Sequence, residues 1–270
     1  MADLLKGRNA VVTGAGRGIG RGIAIALAAE GAKVVVNDPG VASDGSGFDK
    51  SPADEVAEAI RSQGGTAIPS YDSVATVEGG ENIIKTCVDN FGRIDILVNN
   101  AGGATAGYGV DLQFISDQDW RVGIDTNLTS AFYCARAVIP HLLKQGSGKI
   151  INTASGFGLR GARNNWTYVA AKAGLINFTR SLALTYAENN IQANCIAPGL
   201  FPHNEEMVRY WRGGKFIPVG RLGRAEELGP LVVFLASPLS DHMTGETIII
   251  DGGGLAGGHA PTGLAPVIPL

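Results

Sequence analysis

The chain has 270 residues, 45% hydrophobic and 17% charged, with 39 glycines and a net charge of −3. That length suits one large α/β domain or two small ones. A pI near 5.8 gives no electrostatic case for binding nucleic acid or an anionic membrane surface. No apolar run approaches the ~18 residues needed to cross a bilayer. The strand-like NAVVT begins at Asn9, too early for a secretory leader, so a cytoplasmic protein is expected. Cys87, Cys134 and Cys195 stand far apart among apolar neighbours and read as buried reduced thiols. His141, His203, His242 and His259 show no ligand spacing, and no metal site is expected.

In chain order, residues 9–13 form a short apolar strand, followed by TGAGRGIG and a helical pattern through IGRGIAIALAAEG. A strand, a Gly-rich turn and a helix in succession open a dinucleotide-binding βαβ unit. Gly14 can take positive φ, while Gly18 and Gly20 allow close approach of phosphate and of helix to strand. Gly14, Arg17, Gly18, Ile19 and Gly20 are therefore expected cofactor contacts. A second strand covers residues 33–37, and Asp38 ends it, 24 residues after Gly14. A carboxylate there can accept hydrogen bonds from both adenosine ribose hydroxyls and repel a 2′-phosphate, selecting NAD. A turn aspartate before Pro39 is the alternative reading. Residues 40–50 are polar and Gly-rich, either a cover for the adenosine end or a plain loop.

Residues 51–63 read as a helix and 66–70 as a strand, with Asp72 and Ser73 beyond its end where adenine would lie. Another helix spans 74–91, and the fourth strand, around 96–98, runs into Asn99, Asn100, Ala101 and Gly102. Small residues and amides there would let a flat ring approach, so Asn99, Ala101 and Gly102 are placed with the cofactor. A long amphipathic helix is predicted over 120–143. Asn127 in its interior is locally unfavourable and marks a bend or a held water. KIINTAS is a fifth strand delivering Ser155, and residues 166–188 form a helix carrying Tyr168 and Lys172. IQANCIAPG is a sixth strand ending in Pro198 and Gly199; a helix in EELGPLVVFLAS and a strand in ETIIIDGG complete the alternation. This predicts an α/β fold with a doubly wound, parallel seven-stranded sheet. One domain is expected, its core at 5–254 and a C-terminal extension at 255–270. The suspected ligand residues follow successive strand ends, the edge where such sheets bind ligands.

Tyr168 and Lys172 are four residues apart, which puts a phenol and an ammonium on one helix face. A neighbouring cation favours phenolate, so the tyrosine pKa can fall from ~10 toward neutrality. Ser155, 13 residues earlier across a Gly-rich loop, adds a neutral hydrogen-bond donor. The set suits proton exchange with a carbonyl or alcohol oxygen.

TGAGRGIG, NNAG, Asn127, Ser155, Tyr168-x-x-x-Lys172 and Pro198-Gly199, in that order, resemble the short-chain dehydrogenase/reductase family over about residues 5 to 254. The resemblance implies a three-layer Rossmann-type fold and a nicotinamide cofactor. It makes Tyr168 the general acid/base and Ser155 the group that orients the substrate oxygen. Lys172 would bind the nicotinamide ribose and depress the Tyr168 pKa, and Asn127 would hold a relay water. Asp38 matches the NAD-preferring acidic position. VVVNDPG, YDSV and FGRIDILVNNAG look most like the hydroxyacyl-CoA dehydrogenase part of peroxisomal bifunctional enzymes and like bacterial 3-oxoacyl reductases.

Two features depart from the family pattern. LFPHNEEM follows Pro198-Gly199, so His203 stands where a threonine is usual, facing the carboxamide or the substrate, or simply the surface. Phe201 in the same segment is expected beside the cofactor. The tail after residue 254 is either flexible or an arm packed on a neighbouring subunit. The expected reaction is NAD(H)-dependent hydride exchange between a secondary alcohol and a ketone on a largely apolar substrate. Phe157, Arg163, Trp166, His203 and Met207 are expected to line the pocket, with the turn at 102–107 and a mobile lid at 200–217. The alternatives are an NADPH-dependent 3-oxoacyl-thioester reductase, a nucleotide-sugar enzyme of the same fold, and an NAD-binding sensor without turnover. A family-like homotetramer is expected.

Overall fold

A computed structural model of the chain describes residues 3–41, 47–103 and 107–256. The strands are β1 (Asn9–Thr13), β2 (Lys33–Asn37), β3 (Thr66–Ser70), β4 (Ile96–Asn99), β5 (Gly148–Thr153), β6 (Ile191–Pro198) and β7 (Thr247–Ile250). They form one sheet in the order β3-β2-β1-β4-β5-β6-β7, every pair parallel. The helices are α1 (Gly18–Ala29), α2 (Ser51–Ser62), α3 (Val77–Phe91), α4 (Asp117–Ile124), α5 (Ser130–Gln145), α6 (Trp166–Tyr186), α7 (Glu205–Tyr210) and α8 (Gly229–Ala236). None of the described helices is long and apolar enough to cross a membrane.

Strand residues alternate between two buried cores because helices cover both faces. Val12, Val36, Val98, Ile151 and Ile196 join the core with Ile23, Leu27, Ile60 and Val232, from α1, α2 and α8. Val11, Val35, Leu97 and Ile150 join Ile83, Val138, Leu142 and Leu182, from α3, α5 and α6. At the N-terminal edge of the sheet, buried Asp95 fastens β1 to β4: it accepts the Asn9 N–H at 2.9 Å and hydrogen bonds from Arg8 and Arg93. The strand order reverses between β1 and β4, which opens a crevice at the opposite, C-terminal edge.

Several boundaries differ from the sequence expectation, each for a local reason. The helix expected from 74 starts at Val77 because the Thr76 side chain caps it, accepting the Gly79 N–H. The single helix expected over 120–143 is a longer helical run broken by a π-helical turn at Asp125–Thr129, which contains Asn127. The run begins at Asp117, where Ser116 and Asp119 form a capping box. Inside the expected lid, Asn204 caps the short helix α7 by accepting the Met207 N–H at 2.8 Å. Residues 42–46 of the polar loop, 104–106 of the turn after Gly102, and the tail from 257 lie outside the described residues.

Candidate active site

The Gly-rich turn between β1 and α1 is built for close contact. Gly14 has φ +61°, and a Cβ there would lie 2.8 Å from the Ala101 Cα; one on Gly20 would lie 2.1 Å from the Gly14 carbonyl oxygen. Only glycine fits these two positions. Thr13 and Asn100 clasp this turn to the end of β4. The Thr13 hydroxyl accepts the N–H groups of Asn100 and Ala101, both at 3.1 Å, and the Asn100 amide donates to the carbonyls of Thr13 and Gly14, both at 3.0 Å. The Asn100 amide, expected beside a flat ring, is thus spent on the Gly-rich turn, and Thr13 carries no sequence expectation of its own. Their position at two adjacent strand ends was the available signal.

Asp38 sits over the same turn, its carboxylate accepting the Gly16 and Gly40 N–H groups at 2.8 Å each. A Cβ on Gly16 would collide with that carboxylate at 2.7 Å. Arg17 is exposed at the N-cap of α1, while Ile19 packs against the core. At the end of β3, the Asp72 carboxylate accepts from the Asn82 amide and its main-chain carbonyl accepts from Asn37, whereas exposed Ser73 accepts the Ala75 N–H in the turn before α3. The Asn99 side chain, expected beside the cofactor, is instead buried on the sheet face that α5 covers. Paired with Asn152 in the β4–β5 register, it donates to the Asn152 side chain at 2.9 Å and to the Ala131 carbonyl at 3.5 Å.

Ser155, Tyr168 and Lys172 converge at the ends of β5 and α6. The Ser155 hydroxyl is buried beside the Tyr168 phenol. The Lys172 ammonium lies 5.6 Å from the Tyr168 ring centre and donates to the Thr153 carbonyl at 2.8 Å. Gly102, with φ +150°, passes directly over Lys172, and a Cβ there would lie 3.3 Å from its Nζ. Burial pushes the Tyr168 phenol above its usual value, only partly opposed by the neighbouring Ser155 hydroxyl. Burial also pulls Lys172 down to about 8. The sequence expectation of a depressed tyrosine pKa is thus reversed here: desolvation of the phenolate outweighs the stabilising groups.

Asn127 binds main chain rather than facing open space. Its amide N–H groups reach the carbonyls of Gly103 and Gly123, both at 3.1 Å, and its oxygen accepts the Gly103 N–H at 3.0 Å. It therefore pins the loop after β4 to α4.

Beside Ser155 opens a cavity of about 130 Å³, lined by Phe157, Arg160, Leu200, Phe216, Ile217, Pro218, Asp251 and Leu255 among others. Of the expected pocket, Phe157 lines it, as do Leu200, Phe216 and Ile217 of the 200–217 segment, with the Arg160 guanidinium stacked 5.4 Å from the Phe157 ring. Trp166 is engaged elsewhere, its indole N–H donating to the Val110 carbonyl at 2.9 Å. Arg163 is exposed, and Met207 lies within α7. His203 turns to the Gly-rich side, its Cβ 3.1 Å from where a Gly18 side chain would begin. At the end of β6, the Gly199 N–H donates to the Ile250 carbonyl at 3.0 Å, extending the pairing of Pro198 with Ile250. The Phe201 ring packs against Gly223 and the core, so it anchors this loop instead of reaching into the crevice.

A family model described as enoyl-(acyl carrier protein) reductase matches residues 14–254. The chain is 40% identical over 246 residues to a 3-oxoacyl-[acyl-carrier-protein] reductase of Synechocystis sp., covering 90% of this chain and 95% of that protein. It is 44% identical over 192 residues to the peroxisomal multifunctional enzyme type 2 of Drosophila melanogaster, covering 71% of this chain and 31% of that protein. Among solved structures, a 7α-hydroxysteroid dehydrogenase complexed with NADH and 7-oxo glycochenodeoxycholic acid superposes with a TM-score of 0.83 at 28% identity, covering 93% of this chain and 96% of that one.

Proposed function

The chain belongs to the short-chain dehydrogenase/reductase family, and from that premise we propose that this oxidoreductase interconverts 3-oxoacyl and 3-hydroxyacyl thioesters using NAD(H). The observation that carries the chemistry is the convergence of Ser155, Tyr168 and Lys172 at the C-terminal edge of the sheet, at the end of the strand next to the switch point and beside an apolar cavity. The residues alone support a largely apolar alcohol or ketone. The name of the Synechocystis relative supports narrowing it to a 3-oxoacyl thioester.

The crevice fits a nicotinamide dinucleotide. Gly14 and Gly20 leave no room for side chains, and the N-terminus of α1 turns its N–H groups toward the crevice for the pyrophosphate. Asp38 would accept the adenosine ribose hydroxyls. The same carboxylate opposes a 2′-phosphate, which supports NADH over NADPH. Bound there, the nicotinamide supplies or accepts the hydride. In reduction, the Tyr168 phenol gives its proton to the carbonyl oxygen while the Ser155 hydroxyl donates a hydrogen bond to that same oxygen. The reverse step has the phenolate take the proton from the alcohol. Lys172, behind the phenol and under Gly102, would hold a ribose hydroxyl and pass protons to Tyr168. Burial favours protonated Tyr168, the form in which the phenol gives its proton to the carbonyl oxygen. A sensor without turnover would have no use for this arrangement.

Steady-state kinetics with NADH and NADPH in parallel on a 3-oxoacyl thioester test the cofactor assignment. Wild type should prefer NADH, and Asp38→Ala should lower that preference at least about tenfold, the order of a 1.4 kcal/mol loss. A wild-type preference for NADPH would overturn the role of Asp38 and leave the proton chemistry standing.

A further inference from the structure

The cavity beside Ser155 has a far wall that comes from the turn after β7. Asp251 organises that turn: one carboxylate oxygen accepts the Gly253 N–H at 2.9 Å and the other the Leu255 N–H at 2.6 Å. Asp251 is itself wedged beneath the end of β6, where a Cβ on Gly199 would lie 2.8 Å from its Cα. The turn is also locked to the stem of the lid. The Val219 N–H donates to the Gly252 carbonyl at 3.2 Å, and Gly252 and Gly253, at φ +66° and +89°, press their backbones onto Ile217, Val219 and Pro218. This double anchoring holds the Leu255 side chain over the Ser155–Gly156 strand end, its Cδ1 3.4 Å from where a Gly156 Cβ would lie.

We propose that Leu255 is the end stop of the acyl pocket, limiting the length of substrate chain that can sit beside Ser155, and that Asp251 is the positioning residue that holds it there. The inference rests on the thioester reading above. An apolar wall of fixed position rejects a longer chain by overlap and loses contact with a shorter one, so its size sets a length optimum. Arg160, at the same cavity and stacked on Phe157, leaves Leu255 as the apolar side chain facing the strand end from the β7 side.

The test is kcat/KM for wild type, Leu255→Ala, Leu255→Phe and Asp251→Asn across 3-oxoacyl thioesters of increasing chain length. Small apolar ketones of increasing size are run beside them, and NADH binding is followed by fluorescence. Leu255→Ala should shift the optimum to longer chains, raising the ratio of longer to shorter substrate on the order of tenfold, and Leu255→Phe should shift it to shorter ones. Asp251→Asn, which keeps the shape but weakens the clamp, should move the profile the same way as Leu255→Ala by a smaller factor, with NADH affinity retained. An unchanged length profile in both Leu255 variants would overturn the proposal. If wild type reduces the ketones and none of the thioesters, the thioester reading fails, and the size series on ketones still decides whether Leu255 is the stop.

Discussion

Lys172 illustrates how burial at a single residue reshapes the chemistry. The same Ser155–Tyr168–Lys172 motif that is plain in the sequence sits in surroundings that the sequence does not display: Lys172 is buried against the Thr153 carbonyl and pulled from 10.5 to about 8. Its folded pKa lies below its unfolded one, so the unfolded chain holds the extra proton between those values. The contribution of Lys172 to stability therefore rises with pH through that window, and below about 8 the buried ammonium carries its full cost. Urea unfolding should show wild type gaining on Lys172→Met between pH 8 and 10.5, by at most about 1.4 kcal/mol per pH unit. A difference independent of pH would contradict this. The candidate site residues Ser155, Tyr168 and Lys172 were legible because residue type and spacing name them. Their partners were not: the Asn127 side chain proves to be tied to Gly103 and Gly123, contacts no spacing rule encodes.

The break in the helical run around Asn127 belongs to the scale of elements. Periodicity predicts a continuous helix over 120–143, and the unfavourable asparagine marks the point where the π-turn interrupts it. The turn and α4 approach α6 through two small residues: a Cβ on Gly123 would lie 2.3 Å from the Thr167 Cβ, and one on Gly174 would lie 3.0 Å from Leu128. Thr167 precedes Tyr168, so this packing sets the start of the helix that carries Tyr168. An ordinary helical glycine gains up to about 1 kcal/mol on replacement by alanine. Here the contact reverses the sign: Gly123→Ala should destabilise by about 1–3 kcal/mol in urea unfolding. A stabilised Gly123→Ala protein would contradict the close approach.

At the scale of the whole molecule, one edge of the sheet gathers the candidate site and both faces are sealed. Cys87, Cys134 and Cys195 are all buried, and desolvation pushes the first two to about 12 and the third to about 11. The folded protein should therefore be silent to an aromatic disulfide reagent at neutral pH, with all three thiols reacting only as the chain unfolds. A thiol titrating in the native state would contradict the sealed cores. Strand–helix alternation was enough to foresee a parallel seven-stranded sheet. The cavity beside Ser155 was legible only in part. Phe157 and the segment holding Leu200 and Phe216 were foreseen, whereas Leu255 is brought to the site only by the tertiary fold, and adjacency in sequence pointed also to Arg163 and Trp166.

The central claim is that Tyr168 exchanges the proton at the substrate oxygen. The most direct test is NADH oxidation by wild type and Tyr168→Phe on the same 3-oxoacyl thioester, with NADH affinity measured on both. Tyr168→Phe should lose on the order of 10²–10⁴-fold in kcat while binding NADH as wild type does. Turnover within a few-fold of wild type, with NADH still bound, would contradict the account.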